Sequence, residues 1–200
     1  MLSRDARYGL AILQLLMGAE WLVSGANKVL SGSFPQGLSD ALREGLKDNP
    51  NGWYVSLLDR VVVPHTVFWG YLIEGAELLI GIVLLSTALL LFGHLANAGE
   101  SWHRLTVAQM IAAAAAGIVG AFLCVNFHFW MGDGFLPALG GTHAFDEAID
   151  LDMLVPPLCL LISAGHLALA DELTGHNVSS ALKARARNLG LGRRLAPVRG

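Results

Sequence analysis

The sequence predicts an all-α fold: a four-helix transmembrane bundle with an amphipathic interfacial helix in the first outer loop. Three observations carry this reading. Apolar residues fill 54% of the 200 positions and charged residues only 14%, with a mean hydropathy of +0.54; a soluble domain carries about 25% charge. Four apolar segments, at 8–30, 63–92, 105–130 and 151–170, each approach or exceed the roughly 20 residues that cross about 30 Å of hydrocarbon as a helix. None alternates with the period of two that a barrel strand needs. Such a chain cannot wet its own surface, so a soluble enzyme, a disordered regulator and a coiled coil are excluded as classes.

The elements are taken in chain order. Arg4 and Arg7 precede the first apolar run as in a signal peptide, but the run is too long, holds Glu20 and lacks a small-residue cleavage site. It reads as a retained span. In the first loop, Leu38, Ala41, Leu42 and Leu46 share one helical face, with Asp40, Arg43, Glu44 and Lys47 elsewhere, the pattern of a helix lying in the interface. Asn49-Pro50-Asn51-Gly52 signals a turn, and Trp53, Tyr54, Leu57 and Leu58 resemble an aromatic-belt anchor. Pro64 suits the first turn of span two, where a missing N–H costs nothing. Pro156-Pro157 should do the same for span four, starting that helix later than its apolar run. The third loop, with Gly132, Gly134, Gly140 and Gly141, reads as a shaped cap. Residues 1–174 form the membrane domain and 175–200 a basic, mobile cytoplasmic tail.

Orientation is set by the distribution of Lys and Arg. Arg4 and Arg7 mark the N-terminus, Arg104 the second loop, and Lys183, Arg185, Arg187, Arg193, Arg194 and Arg199 the tail, with no Lys or Arg between Arg104 and Lys183. The third loop carries Asp133, Asp146, Glu147, Asp150 and Asp152. Both termini are therefore expected in the cytoplasm of a multi-pass protein of the cell (inner or plasma) membrane. The first and third loops face outward, although the first loop mixes Arg43, Lys47 and Arg60 with Asp40, Glu44, Asp48 and Asp59.

Ionisable groups inside a bilayer are costly, which makes them the default functional candidates. Span one places Glu20, Ser24, Asn27 and Lys28 on one helical face. Span two holds Glu74 and Glu77 one turn apart, span three Gln109, Asn126 and His128, and span four His166. Helical rise predicts two layers. A central one comprises Glu20, Glu74, Glu77 and His166; an outer one comprises Lys28, Asn126, His128 and His65. Joined, they would form a polar shaft opening outward, with Glu77 facing the interior within reach of a polar group on span one or three. The competing bland readings are a structural Glu–amide contact, a snorkelling Lys28 and an interfacial His128. Ala113, Gly117 and Ala121 recur every fourth position, as in close helix packing.

Cys124 and Cys159 fall in the outer halves of their spans but lie in no C-x-x-C, which counts against a thiol–disulfide enzyme. No glycine-rich phosphate loop, flavin or haem site is evident. A His/Glu metal site is weak, so no metal is assigned, and no nucleic-acid partner is expected.

The stretch LQLLMGAEWLVSGANKVLSGSF contains Gly25-x-x-Lys28 followed by Phe34. NGWYVSLLDRVVVPHTVFWGYLIEGAELLIGIVLL leads from a V-x-P turn to Glu77-Leu78-x-x-Gly81, and span three ends in NFHFWMGDG. In this order and spacing, over about 8–170, they resemble the DoxX/DoxD family. The resemblance implies a membrane subunit that couples oxidation of a sulfur compound such as thiosulfate to reduction of quinone, with a partner redox subunit or a homo-oligomer in membrane lipid. By motif it carries over Glu77, Lys28 and Asn126. With the depth argument, the candidates for proton handling and catalysis are Glu77, Lys28 and Glu20. Those for binding substrate or quinone are Asn126, His128, Glu74, His166 and Arg60. A non-catalytic anchor or assembly subunit of the broader DoxX type is the alternative. A small transporter ranks last for want of an internal repeat or broken helices.

The topology is directly testable. Reporter fusions after Leu182 and near Thr142 should show opposite sidedness; the same sidedness at both would sink the four-span arrangement.

Overall fold

The structure is a computed structural model and describes residues 2–47, 49–96, 105–131 and 151–188, with side chains from 154 to 175 in the last stretch. Asp48, Arg104, the third-loop glycines and acidic residues through Asp150, and the tail beyond Asn188 lie outside the described residues. So do the side chains of Asp152, Lys183, Arg185 and Arg187. The described residues form six α-helices and no strand: α1 (Arg4–Ser31), α2 (Phe34–Leu46), α3 (Gly52–Val61), α4 (Thr66–Ala96), α5 (Val107–Met131) and α6 (Leu151–Asn188). Four helical stretches are long and apolar enough to cross a membrane: α1, α5, Leu154–Gly175 of α6, and the stretch Gly52–Ala96 that contains α4.

Each boundary has a local cause. Ser3 caps α1, its hydroxyl accepting from the Ala6 N–H at 3.1 Å, and supplies one of the partners a helix N-terminus lacks. Gly32 ends α1 with φ +65°, a left-handed conformation that glycine adopts without a Cβ penalty. That turn leads directly into α2, which has Pro35 in its first turn. Pro64 stands in a short 3₁₀ turn, Val63–His65, ahead of α4, so the second long helix begins at Thr66, later than 63. The expected late start of the fourth helix is corrected: α6 begins at Leu151 and encloses Pro156 and Pro157. The N–H groups they lack would have bonded the carbonyls of Asp152 and Met153 at the start of the helix, where lost bonds are cheapest. The helix also runs past 174 to Asn188; its last part, 181–187, holds three alanines, two arginines and a lysine, residues of good helix propensity.

α1 packs along α4 and α5 along α6, and the two antiparallel pairs close on each other through α4–α5 and α1–α6 contacts. The core holds Leu10, Met17, Trp21, Leu84, Leu91, Met110, Ile162 and Leu169. Small residues set the separations. A Cβ on Gly25 would lie 2.7 Å from the Leu78 nitrogen, and one on Gly81 would lie 2.5 Å from the Leu22 nitrogen. On the other pair, a Cβ on Gly117 would strike Ser163, whose hydroxyl donates to the Ala114 carbonyl at 2.9 Å. Cys124 and Cys159 are both buried.

At the end of the bundle away from the termini, α2 and α3 form a cap. Leu38, Leu42, Tyr54 and Leu58 pack together with Phe34, Trp69, Ile73, Phe129 and Trp130. Gly70 of α4 admits Pro35, which brings α2 down onto α4. The Asn49 side chain donates to the carbonyls of Phe129 at 2.9 Å and Trp130 at 3.1 Å, satisfying carbonyls that the end of α5 would otherwise leave open. The opposite end is clasped by Arg7, which pairs with Glu172 at 2.6 Å, and by Arg4, which donates to the Leu95 carbonyl.

Backbone contact at Gly81 makes a specific demand. Gly81→Ala should force α1 and α4 apart and destabilise by about 1–3 kcal/mol, the cost of overpacking a close contact. Gly75→Ala, on the same helix with nothing within 4 Å of the new Cβ, should be neutral or mildly stabilising. Denaturant titration in mild detergent compares the two; equal midpoints would refute close packing at Gly81.

Candidate functional site

The site forms where the last turn of α1 meets α4. Lys28 Nζ lies 2.7 Å from Glu77 Oε2 and donates to Ser24 Oγ at 2.9 Å. Ser24 Oγ in turn donates to the same Glu77 oxygen at 3.0 Å. The order of these residues is helical geometry: Ser24 and Lys28 are one turn apart on one face, and the glycine contacts bring that face against α4. Burial is asymmetric. The Glu77 side chain has 0% exposure, whereas Lys28 retains 22%. A carboxylate wholly removed from water needs a cation, and Lys28 supplies it while presenting its ammonium to open space. Both donors converge on Oε2, so Oε1 is buried with no hydrogen-bond partner among the described residues.

Two chambers meet at Lys28. One, of about 420 Å³, lies beneath α2 and α3. Its walls include Phe34, Tyr54, Trp69, Phe122, Phe127 and Trp130, with Lys28 and Asn126 as its polar members among mostly apolar side chains. The Lys28 ammonium stands 5.3 Å from the centre of the Phe34 ring, within cation–π range. The other chamber is an open vestibule of about 510 Å³, lined by Ser24, Asn27, Lys28, Ser31 and Ser33 with Phe34, Gly37, Leu38 and Ala41. Glu77 lines neither; it stands behind Lys28 and Ser24.

The remaining sequence candidates are distributed unevenly. Glu74 is buried one turn from Glu77, nearer the capped end. Asn126 lines the apolar chamber and accepts from the Tyr54 hydroxyl through its backbone oxygen at 2.9 Å, with its own Oδ1 at 3.1 Å. His128 is buried near that end of α5. Glu20 lies on an exposed face of α1 and Arg60 is exposed on α3; neither lines a chamber. Lys28 is also more than a snorkelling end residue, because it neutralises a buried carboxylate.

His166 belongs to a second polar layer. Its Nε2 meets Gln14 Oε1 at 2.8 Å and its Nδ1 meets Met110 Sδ at 3.3 Å. Gln14 donates onward to the Thr87 hydroxyl, which donates to the Val83 carbonyl at 2.6 Å. One residue from each of the four long helices is thus tied in a fully or nearly buried chain. Measured along α1, Gln14 and Ser24 are about 15 Å apart, so the expected single central layer of Glu20, Glu74, Glu77 and His166 is not brought together. Gln14, Thr87 and Tyr54 are not among the site residues that the sequence suggests, whereas Ser24 lies on the polar face of span one that helical spacing marks out. The usable signal is an amide or a hydroxyl inside an apolar run, which a bundle must pair. No cluster of three His, Cys, Asp or Glu suited to a metal occurs among the described residues.

No family model, curated protein or solved structure matches this chain.

The ion pair yields a stability prediction. Lys28→Met strands Glu77 and should cost about 3 kcal/mol, the lower end of the range for breaking a buried pair, because the lysine is partly exposed. Adding Glu77→Met should recover most of that loss. Unfolding titrations of the two variants decide; a single substitution costing under about 1 kcal/mol would show that the pair does not hold the site.

Proposed function

We propose that this chain is a multi-pass membrane subunit of a redox complex that holds a quinone ring in the chamber beneath α2 and α3. One observation carries the reading: a buried ion pair presents its ammonium to an apolar, aromatic-walled chamber of about 420 Å³. Apolar walls with a few convergent polar groups are the usual make-up of a site for a small amphipathic ring. The chamber is flanked by the exposed apolar residues Leu57, Val61, Phe122 and Met131, which suits entry from the lipid. Quinone reduction consumes two electrons and two protons. Lys28 offers a charged donor where a ring oxygen gains electron density, and Glu77 is a titratable carboxyl beside it. Electrons come from a partner subunit acting on a sulfur compound, as the DoxX/DoxD resemblance implies. In this arrangement both termini are cytoplasmic, α2 lies in the outer interface and the capped end faces outward.

Trp69 and Trp130 line the chamber, which provides the assay. A short-chain ubiquinone analogue should quench tryptophan fluorescence of the purified protein saturably. Ile73→Trp, which fills the chamber and spares the ion pair, should weaken binding at least tenfold. In membranes of the intact complex, Glu77→Gln should lower thiosulfate-dependent quinone reduction and alter its pH profile. Non-saturable quenching, unaffected by filling the chamber, would leave the anchor-subunit reading as the better one.

A further inference from the structure

Lys28 is the only charged side chain lining the vestibule among the described residues, and it shares that lining with Ser24, Asn27, Ser31 and Ser33. The Asn27 amide and the Ser33 hydroxyl share a wall with the ammonium and are donors suited to an anion; the Ser31 hydroxyl donates to the Lys28 carbonyl, and the ammonium already has one counter-charge, Glu77. We propose that the vestibule is a proton-coupled oxyanion site: a small oxyanion binds to Lys28 as Glu77 takes up one proton. The inference deepens the reading of the ion pair as the functional centre, but it requires neither quinone nor turnover.

Charge couples the two events. An oxyanion arriving at Lys28 with Glu77 still ionised would put two negative groups on one ammonium, one of them with no access to water. Like charges sharing a site favour protonation of one of them. Glu77 is the member without solvent, and its Oε1 has no donor among the described residues to stabilise negative charge there. A proton from water therefore settles on the Glu77 carboxyl as the anion settles on Lys28, and the site's net charge changes only by that of the anion plus one proton. Ser24 connects anion and proton. Its hydroxyl donates to Glu77 Oε2 in the ion-paired state. Once the carboxyl is protonated, the hydroxyl is free to turn toward the vestibule, whose wall it already forms.

Other titratable groups at this end are differently placed. Glu74 shares Glu77's face of α4, and His128 of α5 and Tyr54 of α3 are buried nearby; the Tyr54 hydroxyl is committed to Asn126. Glu20 on α1, Asp40, Arg43 and Glu44 on α2, and Asp59 and Arg60 on α3 are exposed. Among the described titratable groups, Glu77 is the one that bonds Lys28.

The ligand chemistry is a tetrahedral oxyanion, from a soluble ion or a lipid phosphate. Sulfate binding to the full-length protein in phosphatidylcholine nanodiscs is measured by calorimetry in two buffers of different ionisation enthalpy. The expected result is close to one proton taken up per sulfate. The affinity should fall as pH rises, toward tenfold per pH unit where each sulfate takes up one proton. Glu77→Gln should bind sulfate with no proton uptake and a flat pH dependence. Glu74 lines neither chamber, so Glu74→Gln should keep the proton uptake that accompanies sulfate. Lys28→Met combined with Glu77→Gln, which leaves no stranded charge, should lose binding. Competition by phosphatidylglycerol in the nanodisc assigns the site to a lipid headgroup, and its absence assigns it to a soluble oxyanion; both outcomes support the site. Native binding without proton uptake, uptake that survives Glu77→Gln or disappears with Glu74→Gln, or no native binding at all would overturn it. A negative result here together with saturable quinone quenching would leave the proposed function standing.

Discussion

A carboxylate with no exposed surface has to meet a cation, and at Glu77 that requirement organises the capped end of the bundle. Lys28 reaches Oε2 at 2.7 Å only because α1 and α4 run at backbone contact, with Gly18, Gly25 and Gly81 in the seam. Larger residues there would hold the helices apart, lengthen the ion pair and leave the charge in a low-dielectric gap. The same register fixes the path of the chain beyond α1. Lys28 lies in the last turn of α1, Gly32 turns the backbone, and Pro35 seats α2 on Gly70 of α4. The cap thus begins within a few residues of the charge it encloses, and the chamber beneath it is a consequence of where α1 must stop.

The two polar layers answer different needs. The Thr87–Gln14–His166–Met110 chain joins all four long helices and leaves few ways to slide one helix against another, since each lost contact would bury an unsatisfied amide or imidazole. It lines neither chamber. Around Lys28, by contrast, hydrogen bonding is incomplete: Glu77 Oε1 has no donor among the described residues and the ammonium faces open space. Complete satisfaction suits a structural key, whereas incomplete satisfaction beside a cavity suits a group that exchanges partners.

Much of the fold was legible because its cause is local. Apolar runs of membrane-crossing length correspond to α1, α4, α5 and α6, and the face shared by Leu38 and Leu42 is the buried face of α2. Helical rise placed Lys28 and Asn126 at one depth, and both lie on the wall of one chamber, but it also put Glu77 and His166 in one layer, whereas Glu77 sits at the level of Ser24 and His166 at that of Gln14. Azimuth was less accessible. Glu20 closely succeeds Met17 and Gly18, which are buried, yet it faces outward, and an all-round apolar helix gives no stripe to orient such a residue. The pairing of Gln14 with His166 depends on α1 lying beside α6, a tertiary fact absent from either segment. Pro156 and Pro157 misled for the opposite reason: a strong local rule for helix starts gave way to a helix whose first turn tolerates the missing donors.

The placement of charge along the bundle also bears on how a membrane protein keeps such a site. Were the Lys28–Glu77 pair at the level of Gln14, its ammonium would be enclosed on every side, and both charges would pay full desolvation. At the capped end the lysine keeps contact with a hydroxyl-lined vestibule while its carboxylate remains dry. That asymmetry makes the pair electrostatically strong but chemically available. The cap contributes by roofing the apolar chamber with Leu38, Leu42, Tyr54 and Leu58, while Asn49 and Tyr54 bind it to the end of α5. Lys28 consequently stands between a polar space and an apolar one. A change in its partner on either side is felt on the other through a single side chain, with no helix needing to move.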